Sequence, residues 1–194
     1  MNVRPLLDFI RSHEAPKGYG QVWGGIRPSH RPKRPLETMT VQQVLDWQDS
    51  IDRLYRSEAA GGYQVLEDTL RDHYRKAGLS PTDVFDAATQ DRFAVYLLKR
   101  RGLDDYVAGV LTAEDFANRL AREWASLPLV SGPNRGRSYY AGDGLNRSLT
   151  TADEFLRVVR AVRGKPAAAP ETNRPGGFWS AVFSAIGSFF KGVV

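Results

Sequence analysis

Glu14 is an acidic side chain whose position suits acid catalysis. It stands at the end of a first helix predicted over residues 5–13 and directly before a segment rich in glycine and proline, residues 17–35. Apolar residues of that helix can form a hydrophobic wall, and burial of a carboxyl group raises its pKa towards the value that a general acid needs near neutral pH. These features suit cleavage of a glycosidic bond, in which an acid protonates the leaving oxygen. The alternative is a surface glutamate at the end of a helix.

A second carboxylate usually assists the acid in glycosidic cleavage, as a nucleophile or as a base. None follows Glu14 closely, since residues 15–36 contain no aspartate or glutamate and the first acid after them is Glu37. Glu58 is the remaining candidate for a partner in the cleft. Without a partner, the economical mechanism uses Glu14 twice, first as the acid and then as the base towards a hydroxyl of the substrate itself. Hydrolysis remains the alternative.

The elements that must position Glu14 are predicted to be mostly helical. Apolar residues recur at helical spacing between capping residues and glycines, which predicts helices over residues 40–55, 63–76, 80–101, 103–108, 112–126 and 150–163. Thr40 is predicted to cap the helix that it begins, with Gln43 three residues later, and Thr150 or Thr151 is predicted to cap the last helix. A short β-excursion is predicted at residues 21–23, between glycines. The sequence therefore predicts an α+β fold that is predominantly helical, with a small irregular or β lobe.

Composition divides the chain into three parts. Residues 1–163 are predicted to form the catalytic domain, and residues 164–177, rich in proline and alanine, a linker. Residues 178–194 form an apolar tail in which helical spacing aligns one face, with a lysine near its end. This pattern predicts an amphipathic helix that lies in a membrane interface through Trp179, Phe183, Ile186, Phe189, Phe190 and Lys191. Docking of the tail onto the domain, or onto another copy of the chain, is the alternative.

The charge balance favours anionic partners. The chain carries 27 Lys and Arg against 22 Asp and Glu, a net charge of +5. Along most predicted helices the two signs are mixed, as on an ordinary solvated face, so no nucleic-acid partner is expected. Five cations concentrate in the acid-free stretch after Glu14, and they suit peptide carboxylates, lipid phosphates or simple solvation: Lys17, Arg27, Arg31, Lys33 and Arg34.

Other kinds of site find little support in the composition. With no cysteine, the chain has no disulfide framework and no thiol nucleophile. His13 and His30 have no third ligand at a recognisable spacing, so neither a metal nor another cofactor is expected. The first ten residues lack an apolar run of signal-peptide length.

Several short motifs, read in order, resemble those of the lambda-type phage endolysins, relatives of the soluble lytic transglycosylases within the lysozyme superfamily. The motifs are Ser12-His13-Glu14, the glycine-rich run from Gly18 through Tyr19 to Gly25, the turn from Ala60 to Leu66, and Trp124-Ala125-Ser126-Leu127-Pro128. The resemblance covers about residues 5–163. Ala15 departs from it, standing where the family often has glycine, and so does Gly62, standing where it often has arginine.

The resemblance implies a lysozyme-like domain that cleaves the bond between N-acetylmuramic acid and N-acetylglucosamine in peptidoglycan. Glu14 would be the catalytic acid, while Tyr19, Gln21, Tyr63 and Gln64 would bind the saccharide. With no acid close behind Glu14, we expect the C6 hydroxyl of muramic acid to attack its own C1 and leave a 1,6-anhydro sugar. T4-type muramidases instead place an aspartate soon after the glutamate to position water.

Two further classes of function remain open beside an enzyme. One is a non-catalytic module that binds peptidoglycan, and the other is a membrane-active protein that uses the domain as a carrier. For the enzyme, the resemblance implies a monomer that is made in the host cytoplasm and reaches the peptidoglycan layer through a holin-like pore. The bacterial membrane is a second expected partner, through the tail.

Overall fold

A computed structural model of the protein describes residues 1–163. The predicted linker, and the tail helix with Trp179, Phe183, Ile186, Phe189, Phe190 and Lys191, lie outside these residues. Among the helices that are described, none has the length and apolar character needed to cross a bilayer.

Seven α-helices account for most of the regular secondary structure in residues 1–163, as the helical periodicity predicts. They are α1 (Arg4–Glu14), α2 (Val41–Ile51), α3 (Glu67–His73), α4 (Ala87–Arg100), α5 (Leu103–Val107), α6 (Ala113–Leu120) and α7 (Ala152–Ala161). Short 3-10 turns occupy Pro28–His30, Leu36–Thr38 and Asp52–Leu54. The prediction of a predominantly helical fold is confirmed.

Side-chain caps mark where several of these helices begin. Thr40 and Gln43 form a reciprocal capping box at the start of α2, so the predicted cap is confirmed. Asp86 caps α4 and Thr112 caps α6, each accepting a bond from a backbone N–H three residues later. Thr151, one of the two threonines predicted to cap the last helix, caps α7. Local polar residues thus set the helix starts.

The core around α7 anchors the helix that carries Glu14. Phe155 and Val159 of α7 are fully buried and belong to the same apolar cluster as Leu6 and Ile10 of α1. Burial of each such side chain contributes roughly 1.5–3 kcal/mol to folding. Because α7 packs on both α1 and α6, the end of α1 is held against the segment that follows α6.

Three predicted helices are shorter in the structure. The helix expected from residue 63 begins only at Glu67, because the preceding residues form a tight reversal instead. The helix expected from residue 80 begins at Ala87, since Val84 pairs with Thr40 in an isolated β-bridge before the Asp86 cap. The helix expected to reach residue 126 ends at Leu120, and the next residues form turns that approach Glu14.

The predicted β lobe is reduced to isolated bridges. Val22 pairs with Ala60, which in turn pairs with Val65, and no strand longer than such a bridge occurs in residues 1–163. The segment between α1 and α2 is otherwise irregular, as its glycines and prolines predict. The β-excursion around Val22 therefore exists as one contact that ties this segment to the chain before α3.

Candidate active site

A cleft of about 580 Å³ opens at the end of α1, and Glu14 lines it. The region around the end of α1 contributes His13, Glu14, Gln21, Trp23 and Gly24. The chain leading into α3 contributes Tyr63, Gln64, Val65, Leu66 and Thr69. Beyond α6 lie Trp124, Ala125 and Ser126, together with a later loop. Residues distant in sequence thus share one concave surface of the size usual for ligand sites.

Hydrogen bonds from the described residues reach only one of the two oxygens of the Glu14 carboxyl. Burial raises its pKa above the ordinary value for glutamate, and hydrogen bonds from Ser126 oppose that rise. Both bonds reach Oε1, from the Ser126 hydroxyl at 2.6 Å and from its backbone N–H at 3.2 Å. Oε2 accepts no hydrogen bond from the described residues. A carboxyl in this setting retains its proton more readily than one in water.

Ser126 is the hydrogen-bond partner of Glu14, a contact that the sequence did not reveal. It belongs to the last of the resembling motifs, but nothing in its type or spacing pointed to Glu14, which precedes it by 112 residues. Its neighbour Trp124 donates through Nε1 to the Tyr63 carbonyl at 3.3 Å. Its own carbonyl accepts from the backbone of Leu149 at 2.8 Å. These contacts hold Ser126 from both sides.

Gln21 and Gln64, two predicted saccharide contacts, line the cleft beside Glu14. Gln21 donates through Nε2 to the Glu14 carbonyl at 3.3 Å and accepts through Oε1 from the Lys17 N–H at 2.9 Å. Gln64 donates to the carbonyls of Gly61 and Gln21 at 2.9 and 3.2 Å. Both amides thus position backbone at the cleft. Their contacts with a saccharide stay a prediction.

Tyr19 and Tyr63, the other two predicted saccharide contacts, are joined through Asp91 of α4. Their hydroxyls donate to the same Asp91 oxygen, Oδ1, at 2.7 and 2.6 Å. Arg4 contacts the other oxygen of Asp91 at 2.6 Å. Tyr63 is almost fully buried and still lines the cleft, whereas Tyr19 is absent from its lining. Their roles in binding a sugar stay predictions, and Asp91 is the partner that sequence reasoning missed.

The Gly61-Gly62 pair makes room for neighbouring protein side chains. Gly61 has a φ of +80°, and a Cβ on it would lie 2.4 Å from the Gln90 amide oxygen. A Cβ on Gly62 would lie 2.8 Å from the Tyr19 ring. The two glycines are buried and permit the close packing of the reversal.

Two other acids near the cleft are already engaged. Glu123 lines the cleft but contacts Arg100 and Arg101, at 3.2 and 2.5 Å. Glu58, the partner considered from the sequence, accepts from the Glu67 N–H at 2.9 Å, at the start of α3, and is absent from the cleft lining. Within residues 1–163, Glu14 is therefore the cleft acid without a cationic partner.

The loop between Ser131 and Thr150 contributes part of the cleft, which the sequence analysis did not foresee. Its lining residues are Tyr140, Leu145, Asn146, Arg147 and Leu149. Arg56, itself in the lining, donates to the Asp143 carbonyl at 3.2 Å, and the Tyr140 hydroxyl donates to the Arg122 carbonyl at 2.8 Å. This loop brings amide, aromatic and cationic groups to a site otherwise formed by the helices.

A comparison with protein families finds one family that matches most of this sequence. The family model described as Endolysin matches residues 12–152, from the Glu14 motif to the start of α7. The chain belongs to the endolysin family. Its general function is therefore that of a phage endolysin, the lysis of a bacterial cell wall with peptidoglycan as the target. No curated protein and no solved structure matches the chain significantly.

The matched range covers the residues of this endolysin that form the cleft. Glu14, Gln64, Ser126 and the loop up to Leu149 all lie within residues 12–152. The apolar tail lies outside the match. Family membership thus supports an enzyme that degrades peptidoglycan.

Proposed function

We propose that the protein is a lytic transglycosylase that cleaves the bond between N-acetylmuramic acid and N-acetylglucosamine, with Glu14 as both acid and base. In the first step the Glu14 proton passes to the glycosidic oxygen, and the bond between that oxygen and C1 of muramic acid breaks. The Glu14 carboxylate then takes the proton of the C6 hydroxyl, while the oxygen of that hydroxyl forms a bond to C1. The product carries a 1,6-anhydro ring, and Glu14 regains its proton without consuming water.

The surroundings of Glu14 support its part in the first step. Burial raises the pKa of its carboxyl, which favours the protonated form that an acid catalyst needs. Both bonds from Ser126 fall on Oε1, so Oε2 is the oxygen available to carry and donate the proton. The same bonds stabilise the carboxylate once the proton has left.

Transglycosylation is favoured over hydrolysis because the other acids near the cleft already have partners within the protein. Glu123 is held by two arginines and Glu58 by the start of α3, so neither is a ready base for an attacking water. A C6 hydroxyl of the substrate is already attached to the sugar that it attacks. Intramolecular nucleophiles of this kind reach effective concentrations of about 10⁵–10⁸ M, which removes the need to position a water molecule.

Mass spectrometry of the products tests this mechanism. Purified sacculi are digested with the full chain, and the released muropeptides are weighed. We expect anhydro-muramic ends, each lighter by one water molecule than a reducing end. Ordinary reducing ends would show hydrolysis, and would make the protein a muramidase. Binding to sacculi without release of fragments would favour a non-catalytic module.

We also propose that residues 178–194 associate with the bacterial membrane. The support is the sequence: Trp179, Phe183, Ile186, Phe189 and Phe190 share one face at helical spacing, with Lys191 beside them. Aromatic rings with a nearby cation are typical of helices that lie in a membrane interface. A wall-degrading enzyme with such a tail would remain close to the membrane as the wall is cut.

Truncation tests the role of the tail. The full chain is expected to sediment with vesicles that contain an anionic lipid, and a chain ending at Lys165 is expected to stay in solution. The double substitution Phe183→Ser with Phe189→Ser serves as a control that keeps the length of the tail. Retained vesicle binding by the truncated chain would contradict the proposal.

A further inference from the structure

A second concave surface lies beside the cleft, and its cationic residues have no part in the chemistry described above. It encloses about 650 Å³ between the chain that follows Glu14 and the segment before α2. Four of its lining residues are cations, and we call this surface the basic groove: Lys17, Arg31, Lys33 and Arg34. Gln21 and Gly24 line both the basic groove and the cleft. The two surfaces therefore adjoin at these residues.

The basic groove has an excess of positive charge. Its four cations form no salt bridge with the described residues, although ten such pairs occur elsewhere in residues 1–163. Glu37 is the one acid in its lining, and its carboxylate lies beside Gly20. Clefts lined by one sign of charge concentrate ligands of the opposite sign. The basic groove thus suits an anionic ligand.

Several contacts hold the cations of the basic groove in place. Arg31 donates through Nε to the Ile26 carbonyl at 3.1 Å, and Arg34 donates to the Gln43 side chain. Pro32 and Pro35 flank Lys33 and Arg34, and proline restricts the backbone torsion φ. Cations on such a restrained segment lose less conformational freedom when they bind a ligand.

A short chain of hydrogen bonds connects the basic groove with the catalytic residue. The Lys17 N–H donates to the Gln21 side chain at 2.9 Å, and the same side chain donates to the Glu14 carbonyl at 3.3 Å. Gln21 therefore links the backbone of Lys17, in the basic groove, to the backbone of Glu14, in the cleft. One molecule with a neutral part and an anionic branch can occupy both surfaces.

We propose that the basic groove binds carboxylates of the peptide stem of peptidoglycan while the cleft holds the glycan. This inference rests on the proposed function. The stem branches from the muramic acid residue that the cleft must bind, and it carries free carboxylates. Guanidinium groups pair with carboxylates through two parallel hydrogen bonds, which suits Arg31 and Arg34 to this ligand.

The position of the basic groove favours a peptide stem over lipid phosphate. Its four cations are exposed, so their exposure suits either ligand. The groove shares Gln21 and Gly24 with the cleft, so its ligand should belong to the same substrate. Lipid phosphate is the competing ligand that the experiment must separate.

Binding to two matched glycans tests the inference. The full chain, inactivated by Glu14→Gln, is titrated with glycan strands that bear stems and with strands stripped of stems by an amidase. We expect the stem-bearing strands to bind more tightly, and Lys33→Gln with Arg34→Gln to weaken only their binding, by about three- to tenfold. The advantage should shrink in 1 M salt, where the screening length falls to about 3 Å.

The control variant changes the same amount of charge elsewhere. Lys76→Gln with Lys99→Gln removes two exposed cations outside the basic groove, and should leave the preference for stems intact. Equal binding of both strands, including no binding of either, would overturn the inference. So would a groove variant that binds both strands normally but loses binding to vesicles of phosphatidylglycerol. Failure of the unsubstituted chain to cut sacculi would instead count against the proposed function.

Discussion

Two carboxyl groups in this domain, Glu14 and Asp91, have opposite surroundings. Asp91 of α4 accepts hydrogen bonds from the hydroxyls of Tyr19 and Tyr63 and forms an ion pair with Arg4 at 2.6 Å. Glu14 is half-buried, with Ser126 as its hydrogen-bond partner and without an ion pair among the described residues. The charge of Asp91 is balanced by Arg4 and by two hydroxyl donors. Through these contacts Asp91 links α4 to α1, to the segment after α1 and to the reversal before α3. Glu14 is an incompletely compensated carboxyl at the edge of the cleft.

The difference shows how one type of group serves structure in one place and chemistry in another. Donors around Asp91 offset the cost of burying its charge, so it stabilises the fold. At Glu14 burial exceeds that compensation, so the pKa of its carboxyl rises and the proton becomes available for transfer. Four substitutions test the contrast, and they are taken from the largest expected effect to the smallest.

Glu14→Gln should remove activity without loss of the fold. The amide cannot donate a proton as an acid does, so the rate of sacculus solubilisation should fall by at least about 10²–10⁴-fold. Its oxygen can still accept from the Ser126 hydroxyl. A turbidity assay on sacculi measures the rate, with the exposed Glu154→Gln as the matched control. Substantial remaining activity would remove Glu14 from the acid role.

The same variant should change how stability depends on pH. Because the pKa of Glu14 is raised in the folded state, that state binds more protons than the unfolded state as pH rises above the ordinary glutamate value. The unsubstituted protein therefore loses stability as pH rises through this range. Glu14→Gln lacks this loss, so urea denaturation should show a larger advantage for the variant at pH 8 than at pH 4. An equal difference at both values would contradict the raised pKa.

Asp91→Asn should affect stability and not chemistry. The substitution weakens two tyrosine hydrogen bonds and removes the charge opposite Arg4, which should cost about 1–3 kcal/mol in the free energy of unfolding. Urea denaturation measures the loss, and Asp49→Asn on the exposed surface of α2 is the control. Activity per folded molecule should stay near that of the unsubstituted protein. A fall in activity comparable to that of Glu14→Gln would remove the contrast.

Ser126→Ala should shift the pH profile of the reaction. Hydrogen bonds from Ser126 lower the pKa of Glu14, so removal of the hydroxyl should raise that pKa further. The acid would then stay protonated to higher pH, and the alkaline fall in kcat/KM should move in that direction. The maximal rate should drop by about two- to tenfold with the lost contact. Ser50→Ala in α2 is the control, and an unmoved alkaline limb would contradict the assignment.

Tyr19→Phe should have the smallest effect and distinguish between two roles. Its hydroxyl donates to Asp91 at 2.7 Å, so its loss should cost about 1 kcal/mol in the free energy of unfolding. If that is its whole contribution, KM for glycan strands will not change. A clear rise in KM would support the saccharide role that the resemblance implies. Denaturation and steady-state kinetics on the same preparations separate the two results.

Periodicity and capping residues predicted the helices well where local interactions decide. The caps at Thr40 and Thr151 lie where the sequence placed them, because a side chain that bonds to an N–H three residues later needs no distant partner. The predicted start of α3 was wrong. The apolar residues from Tyr63 onward have helical spacing, but their contacts are with residues that are far away in the sequence. Tyr63 is turned towards Asp91 and Trp124, and both are far away in sequence.

The sequence by itself was enough to propose Glu14 as the acid, because its local pattern suits that role and the ordered motifs place it at the position of the family's catalytic glutamate. It was also enough, through the order of the motifs, to indicate the family that the comparison then showed. Only the tertiary structure paired Glu14 with Ser126 and occupied Glu123 with arginines. The strength of a carboxylic acid depends on burial and on charges within a few ångströms, and those neighbours are set by the packing of α1, α6 and α7.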